Sequence, residues 1–283
     1  MDTVLVDGTV NDIPYKALAP GSDTANLPLI LLLHGAFSSA DRLGQIQSLV
    51  AGLWADGSLP PCVLACASTP TVGGFYIGGW ETVVAEALPA EIHRRFATDP
   101  ARVSLLGASM GGYGALKIAF GDPARWTAVA ATSPALLNDA PGPRNTISVL
   151  AALRDAMTVS GWERESVLHR LRRRADEIRA ARLPIMLRCG DRDAFAMHDG
   201  TERLHRELWD LDVAHEYHLV RDADHGGPEP ADSTRAALIF LAAALRTPVA
   251  VPDDVVALRA MIAPERAEAA RRDPDTDRRY GRV

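Results

Sequence analysis

Residues Gly107-Ala108-Ser109-Met110-Gly111-Gly112 are of types and spacing that could do chemistry. The apolar run Arg102 to Leu106 precedes them and a helix-like stretch from Tyr113 to Phe120 follows, so they read as a sharp turn between a strand and a helix. In such a G-x-S-x-G turn the small flanking residues let the backbone strain, and the serine hydroxyl stands clear of the sheet as a nucleophile for a carbonyl carbon. Glycine-rich turns also bind phosphate, but those need Gly-Lys-Ser/Thr or a fingerprint near the start of the fold. Here Lys117 lies well inside the helix and the turn is mid-chain.

A serine hydroxyl needs a base to take its proton, usually a histidine oriented by a carboxylate. Among eight histidines, His93, His169, His198 and His205 fall in helical stretches or their flanks, and His215 and His218 point to opposite faces of a strand. His225 stands in the turn-rich loop Arg221 to Gly227, after the last strand and before the last helix, where the base is expected. His34 ends an apolar strand ahead of Gly35-Ala36-Phe37. Its imidazole reads as structural, while the backbone N–H groups of Ala36 and Met110 read as donors to an oxyanion. Met110 also opens a helix, whose dipole favours negative charge there. For the acid, Asp191 and Asp193 both follow a strand, and residue type leaves both open. Their place between serine and histidine matches the Ser, Asp, His order of α/β-hydrolases.

The elements that must position these groups alternate. An opening pair of strands, Thr3 to Val6 and Val10 to Ala19, is expected around Asp7-Gly8, followed by a buried strand Pro28 to Leu33. Helix Ala40 to Trp54, strand Pro61 to Ala67, helix Glu81 to Phe96 and strand Val103 to Leu106 lead to the serine, and the same alternation continues to a closing helix Ser233 to Leu245. The fold class is therefore α/β, an α/β-hydrolase fold with a mostly parallel central sheet, helices on both faces and sites just after strand ends. Residues 1–134 and 183–250 form the expected core and 135–182 a small helical cap. Residues 251–283 are expected to hold a short helix, Val255 to Ile262, and, from Pro264, a charged segment that is either a mobile tail or a docking segment. Phe37, Phe75, Tyr76, Trp80 and Phe195 are candidate pocket residues, with the glycine-rich loop Ser68 to Gly79 either a lid or a plain surface loop. The run Arg170 to Arg174 reads as a solvated helix face, with attraction of an anionic substrate as the alternative.

Composition narrows the partners. A net charge of −6 offers no electrostatic case for nucleic acid or an anionic membrane. The apolar stretch Ala236 to Leu245 is far short of the roughly 20 residues of a membrane helix. Three cysteines make no even framework and the first residues do not read as a signal peptide, so a cytoplasmic location is expected. The substrate is expected to be a small-molecule ester, with no metal and no cofactor.

Ser109 to Leu116 with Trp80-Glu81-Thr82 upstream, and the block from Cys189-Gly190 through Asp193-Ala194-Phe195, Leu204 to Leu208 and His215-Glu216-Tyr217 to His225, resemble the esterase D superfamily of α/β-hydrolases. That superfamily includes S-formylglutathione hydrolases, feruloyl and acetylxylan esterases and mycolyltransferases. The resemblance spans about residues 27–246. It implies Ser109, Asp193 and His225 as a triad, with the acid three residues after Gly190, and Ala36 and Met110 as oxyanion donors. After the histidine, Gly226-Gly227-Pro228 departs from the family's usual Asp-Trp, which implies a differently built pocket wall. The implied activity is carboxylic-ester hydrolysis through an acyl-enzyme. An acyltransferase or thioesterase with the same triad is the alternative, and a binding protein on a hydrolase scaffold a more remote one.

Overall fold

The computed structural model describes residues 2–22, 24–70, 74–137, 148–245 and 252–272. Among them eight strands form one sheet: β1 (Thr3–Val10), β2 (Ile13–Pro20), β3 (Leu29–Leu33), β4 (Val63–Ala67), β5 (Val103–Ala108), β6 (Ala128–Thr132), β7 (Ile185–Gly190) and β8 (Glu216–Val220). Their order is β1-β2-β4-β3-β5-β6-β7-β8. β2 runs antiparallel to both β1 and β4, and every pairing from β4 onward is parallel.

All five residues of β3 are buried, because both faces of the parallel sheet are covered. Leu29, Leu31 and Leu33 pack with Tyr113, Leu116 and Phe120 of α4 (Met110–Gly121) and with Leu171 and Ile178 of α7 (Val167–Ala181). Ile30 and Leu32 turn the other way, toward α1 (Arg42–Ala55) and α9 (Glu229–Ala244). The alternation of the strand thus feeds two cores from one apolar run.

The opening hairpin turns at Asn11-Asp12 and not at Asp7-Gly8, with φ of 49° and 61° at the two turn residues. Asn and Asp tolerate that left-handed geometry, which a two-residue hairpin loop demands. Gly8 serves a different purpose. It pairs with Tyr15 across the ladder, and a Cβ there would collide with the tyrosine ring.

The expected helix Glu81 to Phe96 is three pieces: α2 (Gly79–Thr82), a π-helical turn Val83–Ala87 and α3 (Leu88–Phe96). Pro89 explains the interruption. It has no N–H to give the Ala85 carbonyl, and the Arg125 guanidinium donates to that carbonyl instead.

Over the described residues of the expected cap, Leu153 and Met157 of α5 (Ser148–Ser160) and Leu171 and Ile178 of α7 are buried in the same cluster as α4. Residues 138–147 lie outside the described residues. At the other end, α10 (Asp253–Arg272) continues through Pro264 where a break was expected, and residues 273–283 of the expected tail lie outside the description.

Candidate active site

Ser109 joins β5 to α4 with φ 55° and ψ −118°, a left-handed backbone that a non-glycine residue holds only when its surroundings enforce it. They do. The Ser109 N–H donates to the Thr132 carbonyl at 2.9 Å, and its carbonyl accepts from Ala135 at 3.0 Å and Tyr113 at 3.1 Å. The flanking glycines are needed because a Cβ on Gly107 would strike the Gly111 carbonyl, and one on Gly111 would strike the Leu33 carbonyl at the end of β3.

Asp193 and His225 are brought together from the loops after β7 and β8. His225 Nδ1 donates to Asp193 Oδ2 at 2.7 Å, and the carboxylate side chain is fully withdrawn from solvent. Asp193 Oδ1 accepts the N–H of Phe195 at 2.9 Å and that of Met197 at 3.4 Å. Burial alone would raise the Asp193 pKa; the His225 hydrogen bond and charge, with the two backbone donors, outweigh it and hold the carboxyl below its ordinary value. With Nδ1 committed to Asp193, Nε2 is left as the basic nitrogen.

Asp191, the other candidate acid, accepts the Asp222 N–H at 2.8 Å and so fastens one loop to the next. Asp224 was overlooked by sequence reasoning: its Oδ1 accepts the N–H of Ala194 at 2.7 Å and of His225 at 2.6 Å, lashing the acid loop to the histidine loop. Its signal was an aspartate in a turn, whose carboxylate commonly takes nearby backbone donors. Gly190 lets these loops approach, since a Cβ there would collide with the Ala223 carbonyl.

His34 is buried at the end of β3. Its Nε2 accepts from the Thr69 N–H at 3.0 Å and lies 3.1 Å from the Thr69 hydroxyl, while Nδ1 donates to the Gly35 carbonyl at 2.8 Å. Burial depresses its pKa and keeps the ring neutral. The imidazole therefore shapes the loop carrying Ala36. Among the described residues neither the Ala36 N–H nor the Met110 N–H has an acceptor, which leaves both donors available at the elbow.

The pocket candidates divide. Phe75 and Tyr76 are core residues with no exposure, a correction to their expected place in the pocket wall. The Tyr76 ring fills the space that Gly114 leaves open, and its hydroxyl donates to the His34 carbonyl at 2.9 Å. Trp80 is half-buried against the same core. Phe37 is exposed, and Phe195 meets the His225 ring edge to face with centroids 4.8 Å apart. Residues 71–73 of the expected lid loop lie outside the described residues. His225 lines two cavities, of about 620 Å³ and about 220 Å³. A larger cavity of about 890 Å³ lies near Gly121 and Asp122 at the far end of α4, away from the serine.

Behind α4 sits a charge network that sequence reasoning did not anticipate. Lys117 Nζ donates to Glu165 Oε2 and to the Tyr76 carbonyl, both at 2.6 Å, and pairs with Glu81 at 3.0 Å. Arg170 clasps Glu81 in turn. Part of the run read as a solvated helix face is thus an internal clamp.

Residues 12–226 match the family model Esterase, described as "Putative esterase". The chain belongs to the esterase family. Mouse S-formylglutathione hydrolase is 38% identical over 74 residues, covering 23% of this chain and 26% of the mouse protein. The chain thus aligns with only about a quarter of the length of that relative. Among solved structures, a ferulic acid esterase superposes with a TM-score of 0.70 at 17% identity, covering 87% of this chain and 98% of that one. The S-formylglutathione hydrolase of Agrobacterium tumefaciens gives 0.65 at 19%, covering 86% and 95%. At those identities the structural likeness speaks for the fold.

Proposed function

We propose that this esterase hydrolyses a small-molecule carboxylic ester through Ser109, His225 and Asp193 and a covalent acyl-enzyme. The Ser109 hydroxyl attacks the ester carbonyl as His225 Nε2 takes its proton; the same proton then passes to the departing alcohol. Asp193 holds the ring and stabilises the imidazolium. The N–H groups of Ala36 and Met110 meet the oxyanion, at the positive end of α4. Water, activated by the same histidine, releases the acid. The observation that carries the reading is the 2.7 Å bond from His225 Nδ1 to an Asp193 carboxylate withdrawn from solvent.

The test is Ser109→Ala. It should lower kcat on a 4-nitrophenyl ester by about 10⁴- to 10⁶-fold with an unchanged thermal melt, and abolish labelling by a fluorophosphonate. Retained turnover in the folded variant overturns the assignment. Acyl transfer is separated from hydrolysis by product partitioning with added alcohols. The three cysteines are buried thiols with no disulfide, which suits a reducing compartment such as the cytoplasm.

A further inference from the structure

The smaller cavity beside His225 contains a cation without an acid. Arg42, the first residue of α1, lines it together with Gly35, Ser38, Thr132 and Thr234. Its guanidinium is partly buried and donates to two neutral oxygens, Gln45 Oε1 at 2.9 Å and Thr234 Oγ1 at 3.4 Å. No aspartate or glutamate lines the cavity, and among the described residues none pairs with Arg42. Other arginines withdrawn from solvent are matched: Arg170 holds Glu81, Arg188 holds Glu229 and Arg179 holds Asp176.

Withdrawing a guanidinium from water is costly unless hydrogen bonds and an opposite charge replace the lost hydration. Burial lowers the Arg42 pKa, with no neighbouring acid opposing it. Two neutral acceptors leave donors of the planar fork unused, and a carboxylate fits that fork in bidentate fashion. The cavity reaches from this fork to His225 and to the loop that carries Ala36. Its volume of about 220 Å³ equals roughly seven waters of liquid, enough for a short chain ending in a carboxylate.

We propose that Arg42 is a specificity-determining residue that binds a carboxylate of the substrate, so that the esters preferred by this site are acidic ones. The inference rests on the ester-hydrolase reading above. Its chemistry adds no step: the carboxylate is a handle, and the bond broken is still the ester bond.

The experiment measures a ratio, kcat/KM on an acidic ester over kcat/KM on its neutral counterpart. In one arm the carboxylate is on the acyl side, mono-4-nitrophenyl glutarate against 4-nitrophenyl butyrate. In the other it is on the leaving group, 3-acetoxybenzoate against phenyl acetate. Arg42→Gln should lower the ratio in one arm by about ten- to hundredfold, mainly through KM, as for loss of a hydrogen bond to a charged group. Arg42→Lys should restore part of it, and serves as the readout if the glutamine variant melts early. A ratio unchanged in both arms overturns the proposal. Glutarate binding to the Ser109→Ala protein, followed by calorimetry, should disappear with Arg42→Gln. That binding does not depend on turnover, so failure of the nucleophile assignment and failure of the Arg42 assignment give different results; no glutarate binding, with no ratio change, sinks only the latter.

Discussion

Lys117 and Glu165 meet at 2.6 Å with essentially no solvent exposure of either side chain. Burial pulls the Lys117 pKa down, while its pairing with Glu165 outweighs burial of the carboxyl and keeps Glu165 below its ordinary value. The pair is buried on the α4 side of the core and, through the Tyr76 carbonyl, reaches the residue whose hydroxyl fixes the His34 loop.

Breaking that pair from one side leaves a buried charge uncompensated. Lys117→Met should cost about 3–5 kcal/mol of stability in urea unfolding. The double variant Lys117→Met with Glu165→Gln should cost less than the two single losses added together, because the stranded carboxylate is gone.

Asp193 and Asp191 should separate widely under one ester assay. Asp193→Asn is expected to lower kcat by roughly 10⁴-fold, since the ring loses the acceptor that fixes its tautomer. Asp191→Asn alters only an exposed loop fastening and should change kcat little. A crippled Asp191→Asn protein would falsify the choice of acid.

The depressed Asp193 pKa has a definite sign in stability. The unfolded carboxyl titrates near 3.9, so the contribution of the ionised group is complete above about pH 4 and is lost as pH falls through the lower folded value. The melting-temperature gap between the protein and Asp193→Asn should therefore be present at pH 6 and shrink as pH drops below about 4. A gap that widens on acidification would contradict the shift.

Two glycines make a contrast. A Cβ at Gly111 would strike the Leu33 carbonyl, whereas one at Gly52, inside α1, meets nothing within 4 Å. Gly111→Ala should destabilise by more than about 1 kcal/mol and abolish turnover. Gly52→Ala should stabilise by about 0.4–1 kcal/mol through the unfolded chain, without touching activity.

What was legible in the chain was whatever depends on local residue type. The glycines around Ser109, the aspartates after β7 and the histidine after β8 each sit at a strand end, and strand ends are readable from apolar runs. Contacts between elements distant in sequence were not. Lys117 shows in the sequence only as a lysine inside a helix, and its partners Glu81 and Glu165 come from distant segments. Tyr76 reads as a pocket aromatic until Gly114 is seen to make room for its ring. Gly8 mimicked a turn because a cross-strand ring, invisible in one strand alone, forbids a side chain there.

The interlock of Gly111 with the end of β3 has a consequence for how this esterase is made. The strands that brace the elbow, β3 and β5, and the Thr132 and Ala135 groups that bond the Ser109 backbone all lie in the first half of the chain, so a ribosome that has released residues through Ala135 has already supplied what holds the serine in its strained turn. The proposed base, His225, comes more than a hundred residues later, on the loop after β8. On the proposed mechanism the nucleophile is therefore assembled before its base, and turnover waits until the carboxyl-terminal third docks. A prematurely terminated chain carries a presented serine without the means to fire it.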